Sequence, residues 1–357
     1  MAHSTVEAGV HSYDLKPQKP KLKMQMPARV VDEVGPGTAM MTPITQTLHM
    51  SQQMSSSASS STVKCLDVCV FLRDGSGHEF SVECGKRATA QDLCDLMQAN
   101  LCLPPVASEL FCLWLSSPLL KLQLKPHHVP FKLYRQWPDL LDRFTSATED
   151  QKSRDEPVLI YQRNAFFPKS REKRITDNKI LLRLFDEAKD NLLDGYYPCS
   201  SEDYDRLAAI LARIDHGPFL SRRHTPAFFK NKLSSYYPAH LCKTSWSLPV
   251  SSKNTAEYRI VEQYKSLQDN CNNNQYRQML LDFCWSLPYY GCVFFTGQIE
   301  KPCHGSRKVR ENPDRLIYIA INRDGVFIID ISKCVSISKK SVFKIIDIIK
   351  PMVLNDS

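Results

Sequence analysis

Apolar and polar residues alternate in the segment that begins near Val63, and this period of two predicts short β-strands. Phe80, Val82 and Cys84 share one face of the second strand, between polar neighbours on the other face. The segment Asp74–Gly77 before it has the composition of a tight turn, so the two strands are expected to pair as a hairpin.

A helix is predicted directly after this hairpin. Thr89 stands three residues before Asp92, the spacing of a capping box at a helix start. A strand-like run, Leu110–Leu115, follows two prolines. The order of two strands, helix and strand is typical of a β-grasp, although several small α+β folds share it. The predicted apolar face of the helix consists of Leu93, Leu96, Met97 and Leu101.

The remainder of this first region is predicted to be short and irregular. Residues 117–126 favour a short strand that ends at a proline, and Pro138 fits the first turn of a short helix. Residues 145–156 are polar and predict a surface loop, and residues 157–163 predict a last strand.

Five apolar stripes with helical spacing follow between residues 176 and 287 and predict a compact helix bundle. Asp177 and Ser200 are the predicted caps of the first two helices, and the third stripe is the weakest. The stripes, in chain order, are Leu181, Leu184, Phe185, Ala188 and Leu192; Leu207, Ile210, Leu211 and Ile214; Phe228, Phe229, Leu233 and Tyr236; Val261 and Tyr264; and Tyr276, Met279, Leu280, Phe283 and Leu287.

The stretch Leu287–Ile299 joins the predicted helices to a β-rich region. Pro288 cannot continue a helix, and Gly291 allows backbone angles that other residues avoid. Strands are predicted at residues 292–299, 315–320 and 326–331, the last two joined by a turn at Asn322–Gly325. Residues 336–354 have a spacing that fits either a helix or a strand.

The first 62 residues differ in composition from the rest and predict a disordered tail. Proline, glutamine and threonine are frequent there, and the run at residues 55–61 is almost entirely serine. A polar spacer is the simpler interpretation of that run, and phosphorylation is the alternative.

Composition narrows the class of protein. A chain of 357 residues with 43% hydrophobic residues suggests two or three domains. The net charge of +8 fits an anionic membrane face or an acidic partner, but it lacks the clustered density of a nucleic-acid binder. The 13 cysteines include no Cys-x-x-Cys pair, which favours a reduced, cytoplasmic protein without a structural zinc site. Five cysteines lie in apolar patterns and are expected to pack as small hydrophobic residues: Cys69, Cys84, Cys94, Cys112 and Cys284.

Candidate chemistry is sparse, so we expect no enzymatic activity, no cofactor and no metal. The Gly75-Ser76-Gly77 sequence lacks the spacing of a nucleophile elbow. Cys303 and His304 are sequence neighbours, which does not make a catalytic pair. His127-His128 could supply metal ligands, but adjacent loop histidines usually point apart.

Two basic clusters are the candidate binding residues, for acidic lipid or for an acidic partner. The denser cluster lies beside Phe166-Phe167 and the weaker one lies in the predicted β-region. A solvated, charged surface is the alternative interpretation of both. The denser cluster is Lys169, Arg171, Lys173 and Arg174, and the weaker cluster is Arg307, Lys308 and Arg310.

Several long stretches with tryptophan and proline anchors resemble the FERM domain of band 4.1-like proteins. They are LWLSSPLLKLQLKPHH, RQWPDLLDRFTSA, EPVLIYQRNAFFPKSRE, YYPAHLCK and LPYYGCVFFTGQIEKP. The stretches LLRLFDEAKDNLLDG and YYGCVFFTGQI also resemble the FERM region of Krev-interaction-trapped proteins. Together these motifs cover roughly residues 63–331.

The resemblance implies an α+β, multi-lobe protein. After a disordered tail at residues 1–62, it implies a ubiquitin-like β-grasp lobe at residues 63–164. An acyl-CoA-binding-protein-like helix bundle follows at residues 165–286, and a PH/PTB-like β lobe at residues 287–357. The 71 residues of the last lobe are fewer than the roughly 80 that seven strands and a helix require, so it is expected to be truncated, with a divergent end.

The same resemblance implies an adaptor at the cytosolic face of the plasma membrane. Its partners would be the cytosolic tails of transmembrane proteins: iRhom-type proteins that support a cell-surface sheddase, and a Wnt co-receptor that is negatively regulated. Acidic phospholipids are a further implied partner. A Rap-type small GTPase, or a membrane–cytoskeleton link through phosphoinositides, is the alternative. Because the last lobe is short, no peptide-groove residue is assigned.

Overall fold

A computed structural model describes a mixed region of helix and sheet, a helical region and a second sheet. The predicted tail, the weaker basic cluster and Cys303-His304 lie outside the described residues, as does most of the ambiguous segment at 336–354. The described residues are 65–242, 255–268, 270–299, 315–322, 325–330 and 335–337.

The first region is a five-stranded sheet with the strand order β2-β1-β5-β3-β4. Strands β1 and β5 are parallel, and the other neighbours are antiparallel. Strand β5, the last in the chain, therefore lies in the middle of the sheet, between β1 and β3. The strands are β1 (Cys65–Phe71), β2 (Gly77–Glu83), β3 (Phe111–Ser116), β4 (Lys121–Gln123) and β5 (Val158–Arg163).

Local signals in the sequence account for the first elements. Asp74 accepts a hydrogen bond from the Ser76 amide at 2.9 Å, which closes the predicted hairpin turn. Helix α1 (Ala90–Asn100) begins with the predicted capping box of Thr89 and Asp92. Its predicted face is buried at Leu93, Leu96 and Met97, against the sheet.

Two predictions for this region are wrong. Cys84 is exposed, because it follows β2 in the left-handed conformation and starts a 3₁₀ turn. The polar stretch 145–156 contains helix α5 (Glu149–Ser153), which Thr148 and Gln151 cap reciprocally. In addition, an unpredicted short helix at residues 130–135 directly precedes the predicted one at residues 137–144. The remaining helices of this region are α2 (Ala107–Leu110), α3 (Pro130–Arg135) and α4 (Trp137–Phe144).

The helical region is built on four longer helices that pack on one another. Helix α11 packs on α8, and helix α12 packs on both α7 and α8. Asp177 and Ser200 cap α7 and α8, as predicted. The helices of this region are α6 (Lys169–Glu172), α7 (Asn178–Leu193), α8 (Ser201–His216), α9 (Pro226–Phe229), α10 (Ala239–Cys242), α11 (Ala256–Ser266) and α12 (Asn273–Ser286).

Two details of the predicted stripes are wrong. The third stripe is not one helix, because α9 has only four residues and a separate 3₁₀ turn follows at Leu233–Ser235. Met279 is 37% exposed rather than buried. It precedes the buried Leu280 by one position, which rotates it about 100° away from that face.

The second sheet is antiparallel, in the order β6-β7-β8-β9. The predicted turn is consistent with the pairing of Asn322 with Gly325, and the Asn322 side chain accepts a hydrogen bond from the Gly325 amide at 3.1 Å. Ala320 and Ile329 are fully buried. The strands are β6 (Val293–Ile299), β7 (Arg315–Asn322), β8 (Gly325–Asp330) and β9 (Val335–Ile337).

Candidate interaction site

A buried ion pair lies where the first sheet meets the helices. Arg163 is the last residue of β5, and its Nε lies 2.6 Å from the Glu172 carboxylate at the end of α6. The two side chains are 4% and 0% exposed. Charges this far from water are tolerated only when each is paired and hydrogen-bonded.

Further hydrogen bonds satisfy both charges and connect distant parts of the chain. Glu172 Oε1 accepts from Trp285 Nε1 at 2.7 Å and from the Tyr290 hydroxyl at 2.5 Å. The Arg163 guanidinium donates to the carbonyl of Phe167 at 2.9 Å. Burial, followed by the nearby Glu172 carboxylate, raises the pKa of Tyr290 well above its ordinary value, so its hydroxyl remains a donor.

Gly291 is required by the position of this guanidinium. Its φ of +69° lies in the left-handed region, and a Cβ built on it would lie 2.4 Å from an Arg163 Nη atom. Its carbonyl accepts from the same guanidinium at 3.4 Å. The chain can therefore leave α12 and enter β6 along Arg163 only if this residue has no side chain.

An open cleft lies beside this network and takes residues from all three regions. Lys121 of β4 places its ammonium 5.7 Å from the ring centroid of Tyr196. The Tyr196 ring stacks on Phe294 of β6 at 4.8 Å and contacts Tyr318 of β7 at 5.1 Å. The cleft is lined by Arg73, Trp114, Lys121, Gln162, Arg163, Ala165, Glu187, Asn191, Tyr196, Gly291, Cys292, Val293 and Phe294.

Helix α7 brings acidic residues to the cleft: Glu187 lines it, and Asp190 pairs with the lining residue Arg73. Glu187 accepts a hydrogen bond from the Arg163 backbone amide at 2.9 Å, and burial raises the pKa of its carboxyl. Asp190 lies 3.1 Å from Arg73. The cleft thus combines cations, carboxylates and aromatic faces, a mixture suited to a polypeptide segment rather than to one small anion.

The denser predicted basic cluster is only partly available to a ligand. Lys169 donates to the carbonyl of Leu287 at 3.0 Å, and Arg171 makes two hydrogen bonds to Glu109 at 2.6 and 3.2 Å. Lys173 and Arg174 are exposed. Two of the four cations therefore stabilise contacts between elements, and two face solvent.

The aromatic pair beside this cluster is also divided. Phe166 is 66% exposed, whereas Phe167 is buried in the core. The exposed ring and the two exposed cations are close in sequence, on the turn between β5 and α6 and just beyond α6.

The two histidines of the pair His127-His128 contact each other and the nearby backbone. The rings meet edge to face with centroids 4.9 Å apart, and the Nδ1 of His128 accepts from the amide of Lys125 at 3.2 Å. Within the described residues, no group of three or more potential metal ligands occurs. Over the same residues, no helix is both long and apolar enough to cross a membrane.

Sequence inspection did not find the residues that hold the junction together. Arg163 and Glu172 look like ordinary charges at the ends of short elements. One signal was present: Arg163 follows an apolar run, and an arginine at the end of a buried strand requires a partner.

The comparisons with known proteins agree on one family. The sequence profile of the FERM central domain matches residues 170–295. The chain is 39% identical to "FERM domain-containing protein 8" from Homo sapiens, an alignment that covers 77% of this chain and 62% of that protein. With the Danio rerio protein of the same name it is 35% identical over 78% of this chain and 61% of the relative. The chain thus spans about three fifths of the length of these curated relatives.

Solved structures share the fold. The C-terminal MyTH4-FERM domain of human myosin 7b, solved in complex with the harmonin-a PDZ3 domain, superposes with a TM-score of 0.56 at 18% identity. That match covers 77% of this chain and 51% of the other. The MyTH4-FERM MF2 domain of Dictyostelium discoideum myosin VII gives a TM-score of 0.54 at 15% identity, over 77% and 50% of the two chains. Identities this low establish the fold alone.

Proposed function

The chain belongs to the FERM domain family, and from that premise we propose that it is a non-enzymatic adaptor that binds cytosolic tails of membrane proteins. The proposed location is the cytosolic face of the plasma membrane, where the protein would be peripheral. The similarity to FERM domain-containing protein 8 supports this proposal.

We propose three lobes for this adaptor. Residues 63–164 would form the ubiquitin-like lobe, which the parallel pairing of β1 with β5 beneath α1 supports. Residues 165–286 would form the acyl-CoA-binding-protein-like lobe, and residues 287–357 a partial PH/PTB-like lobe. The four antiparallel strands β6–β9 support the last assignment.

The proposed partners are iRhom-type tails, so that the protein would support a cell-surface sheddase. Negative regulation of Wnt signalling through a co-receptor tail is proposed for the same adaptor surface. Both partners follow from the family resemblance of the sequence.

The cleft between the three regions is the observation that carries the binding proposal. Lys121 offers a cation that can pair with a carboxylate of the tail. Tyr196 and Phe294, already stacked on each other, offer apolar faces to its side chains. The edge strand β4, which carries Lys121, could extend this contact by pairing with a strand of the tail.

Capture by an immobilised iRhom-type cytosolic tail tests the proposal. The 357-residue chain is expected to be retained, and Lys121→Glu to be retained poorly because it reverses the charge in the cleft. Lys132→Glu is the matched control, since Lys132 is also exposed but does not line the cleft. Absence of retention for the unmodified chain would refute the iRhom-type tail as a partner.

A Rap-type small GTPase is the alternative partner, which the second set of sequence motifs supports. Capture of the chain by immobilised Rap that depends on GTP rather than GDP would favour it. A phosphoinositide-binding membrane–cytoskeleton linker is the other alternative, and the exposed Phe166, Lys173 and Arg174 support it.

A further inference from the structure

The same pattern of charges precedes three threonines of the chain. In each stretch, two cations stand three and two positions before the threonine hydroxyl. Basophilic protein kinases select substrates by such a pattern, because carboxylates of the kinase pair with the cations that precede the acceptor. All six cations are exposed, so the stretches differ in the threonine rather than in the charges. The stretches are Lys86-Arg87-Ala88-Thr89, Lys173-Arg174-Ile175-Thr176 and Arg222-Arg223-His224-Thr225.

Two of the three hydroxyls are occupied as helix caps. Thr89 Oγ1 accepts from the Asp92 amide at 3.2 Å and donates to the Asp92 carboxylate at 2.8 Å. Thr225 Oγ1 accepts from the Phe228 amide at 3.4 Å. In both cases the next residue already belongs to a helix, α1 or α9. A kinase that binds the acceptor in an extended segment must therefore break the cap and unwind the first helical turn.

Thr176 escapes this role because its neighbour caps the helix instead. Asp177 accepts from the amides of Lys179 and Ile180 at 2.9 and 3.0 Å, at the start of α7. Asp177 has φ −66° and ψ 121°, so the extended chain continues for one residue beyond Thr176. Thr176 is exposed, and its hydroxyl makes no hydrogen bond to any residue that the structure describes.

The link at residues 175–177 presents this hydroxyl from a fixed position. The Ile175 amide donates to the carbonyl of Glu172 at 2.9 Å, and Glu172 belongs to the buried network with Arg163. Lys173 and Arg174 form no ion pair with a carboxylate of the described residues. Both cations can therefore pair with a kinase while the fold stays closed.

We propose that Thr176 is a phosphorylation site for a basophilic serine/threonine kinase. Thr176 Oγ1 attacks the γ-phosphorus of the kinase-bound magnesium ATP, and the bond from that phosphorus to ADP breaks. The hydroxyl proton passes to the catalytic carboxylate of the kinase, and ADP leaves. This modification goes beyond the adaptor role and does not depend on it.

The phosphate changes the charge of the denser basic cluster. It carries about −1.5 to −2 charges at pH 7, which offset the two positive charges of Lys173 and Arg174. It also stands beside the N-terminus of the 16-residue helix α7, where a negative charge is favourable. Phosphorylation thus removes the exposed positive charge of this cluster without disturbing the fold.

Reaction of the folded 357-residue chain with magnesium ATP and the catalytic subunit of cAMP-dependent protein kinase tests the site. Mass spectrometry of the digested product gives the initial rate at each threonine. The rate at Thr176 should exceed the rates at Thr89 and Thr225 at least about tenfold, since a capped hydroxyl reacts only in molecules whose cap is open.

Short synthetic peptides centred on Thr89 and on Thr176 are the control that lacks the fold. In these peptides Thr89 should react at least as fast as Thr176, because the acidic Asp177 follows Thr176 and repels the acidic peptide groove of the kinase. A Thr89 peptide that reacts as slowly as Thr89 of the folded chain would assign the selectivity to sequence and would overturn the structural argument.

Two double variants test the cations. Lys173→Gln with Arg174→Gln should lower the rate at Thr176 at least about tenfold, because two charge-assisted contacts to the kinase are lost. Arg222→Gln with Arg223→Gln removes the same charge elsewhere and should leave that rate within about twofold. Unchanged thermal melting of each variant shows that the chain is folded.

Three results would overturn the proposal. The first is the absence of phosphate at Thr176 of the folded chain. The second is a rate at Thr89 or Thr225 of the folded chain that equals the rate at Thr176. The third is an equal effect of the two double variants on the rate at Thr176.

Discussion

The Arg163 guanidinium and the Glu172 carboxylate lie 2.6 Å apart, almost completely withdrawn from solvent. Through Trp285 and Tyr290 the same carboxylate reaches the end of α12 and the chain that enters β6. One buried network therefore connects the first sheet, the helices and the start of the second sheet. We infer that it fixes the walls of the proposed cleft.

Removing one charge of this pair should destabilise the folded protein far more than removing both charges. Glu172→Gln leaves Arg163 buried without a counter-charge, which should lower the stability by about 3–5 kcal/mol. The double variant Arg163→Met with Glu172→Leu should lose much less, because no buried charge remains. Urea denaturation of the three proteins measures this. An E172Q protein as stable as the unmodified chain would contradict the network as described.

Gly291 and Gly217 form a matched pair for testing the close approach to Arg163. Both have a positive φ, of +69° and +77°, but a Cβ at Gly217 would meet no atom within 4 Å. Gly217→Ala should therefore cost only backbone strain of about 1–3 kcal/mol, because its φ of 77° and ψ of −156° lie in a region that essentially only glycine adopts. Gly291→Ala should cost more, because the Arg163 guanidinium must move as well. Equal decreases in melting temperature for the two variants would show that the close approach of Arg163 to Gly291 does not contribute to stability.

Asp186 of α7 should make stability depend on pH. Burial of this carboxyl, only partly offset by Arg183, raises its pKa to about 6. A raised pKa in the folded state means that stability is lost as pH rises from near 4 through 6. Asp186→Asn should thus be more stable than the unmodified chain by about 1–3 kcal/mol at pH 7.5 and equally stable near pH 4.

Melting temperatures of both proteins across this range measure the effect. The prediction would be contradicted if the difference in melting temperature between Asp186→Asn and the unmodified chain did not change with pH, or if it had the opposite sign.

His224 should make stability depend on pH with the opposite sign, so that stability falls as the pH falls. Burial, followed by the charges of His216, Arg223 and Lys232, lowers the pKa of its imidazole below the ordinary value. The contribution to stability is then present above about pH 6.5 and is lost as the pH falls below it. His224→Asn keeps an acceptor for the Leu220 amide and should remove this loss between pH 7.5 and 5.5. An unchanged acid dependence in that variant would show that His224 is not its source.

Sequence patterns were sufficient where the determinants are local. Thr89 with Asp92, Asp177 and Ser200 cap helices at the predicted positions, because each needs only partners within three residues. The third stripe failed because aromatic residues spaced as in a helix are also found where α9 and a 3₁₀ turn converge on one core.

The junction could not be predicted in the same way. Arg163 and Gly291 are 128 residues apart, so neither spacing nor propensity reveals that one must lie against the other. The denser basic cluster was visible as residues, but not the contacts that occupy Lys169 and Arg171. Conversely, Arg223 and Lys232 are nine positions apart, and only the fold brings both cations to the ring of Phe228.

The most direct test of the adaptor account is a titration of a fluorescently labelled iRhom-type cytosolic tail with the 357-residue chain, without lipid. The account predicts saturable binding that Lys121→Glu weakens at least about tenfold, through loss of a charge-assisted contact of about 1.5–3 kcal/mol. Lys132→Glu should leave the affinity unchanged. The absence of saturable binding, or equal weakening by both substitutions, would contradict it.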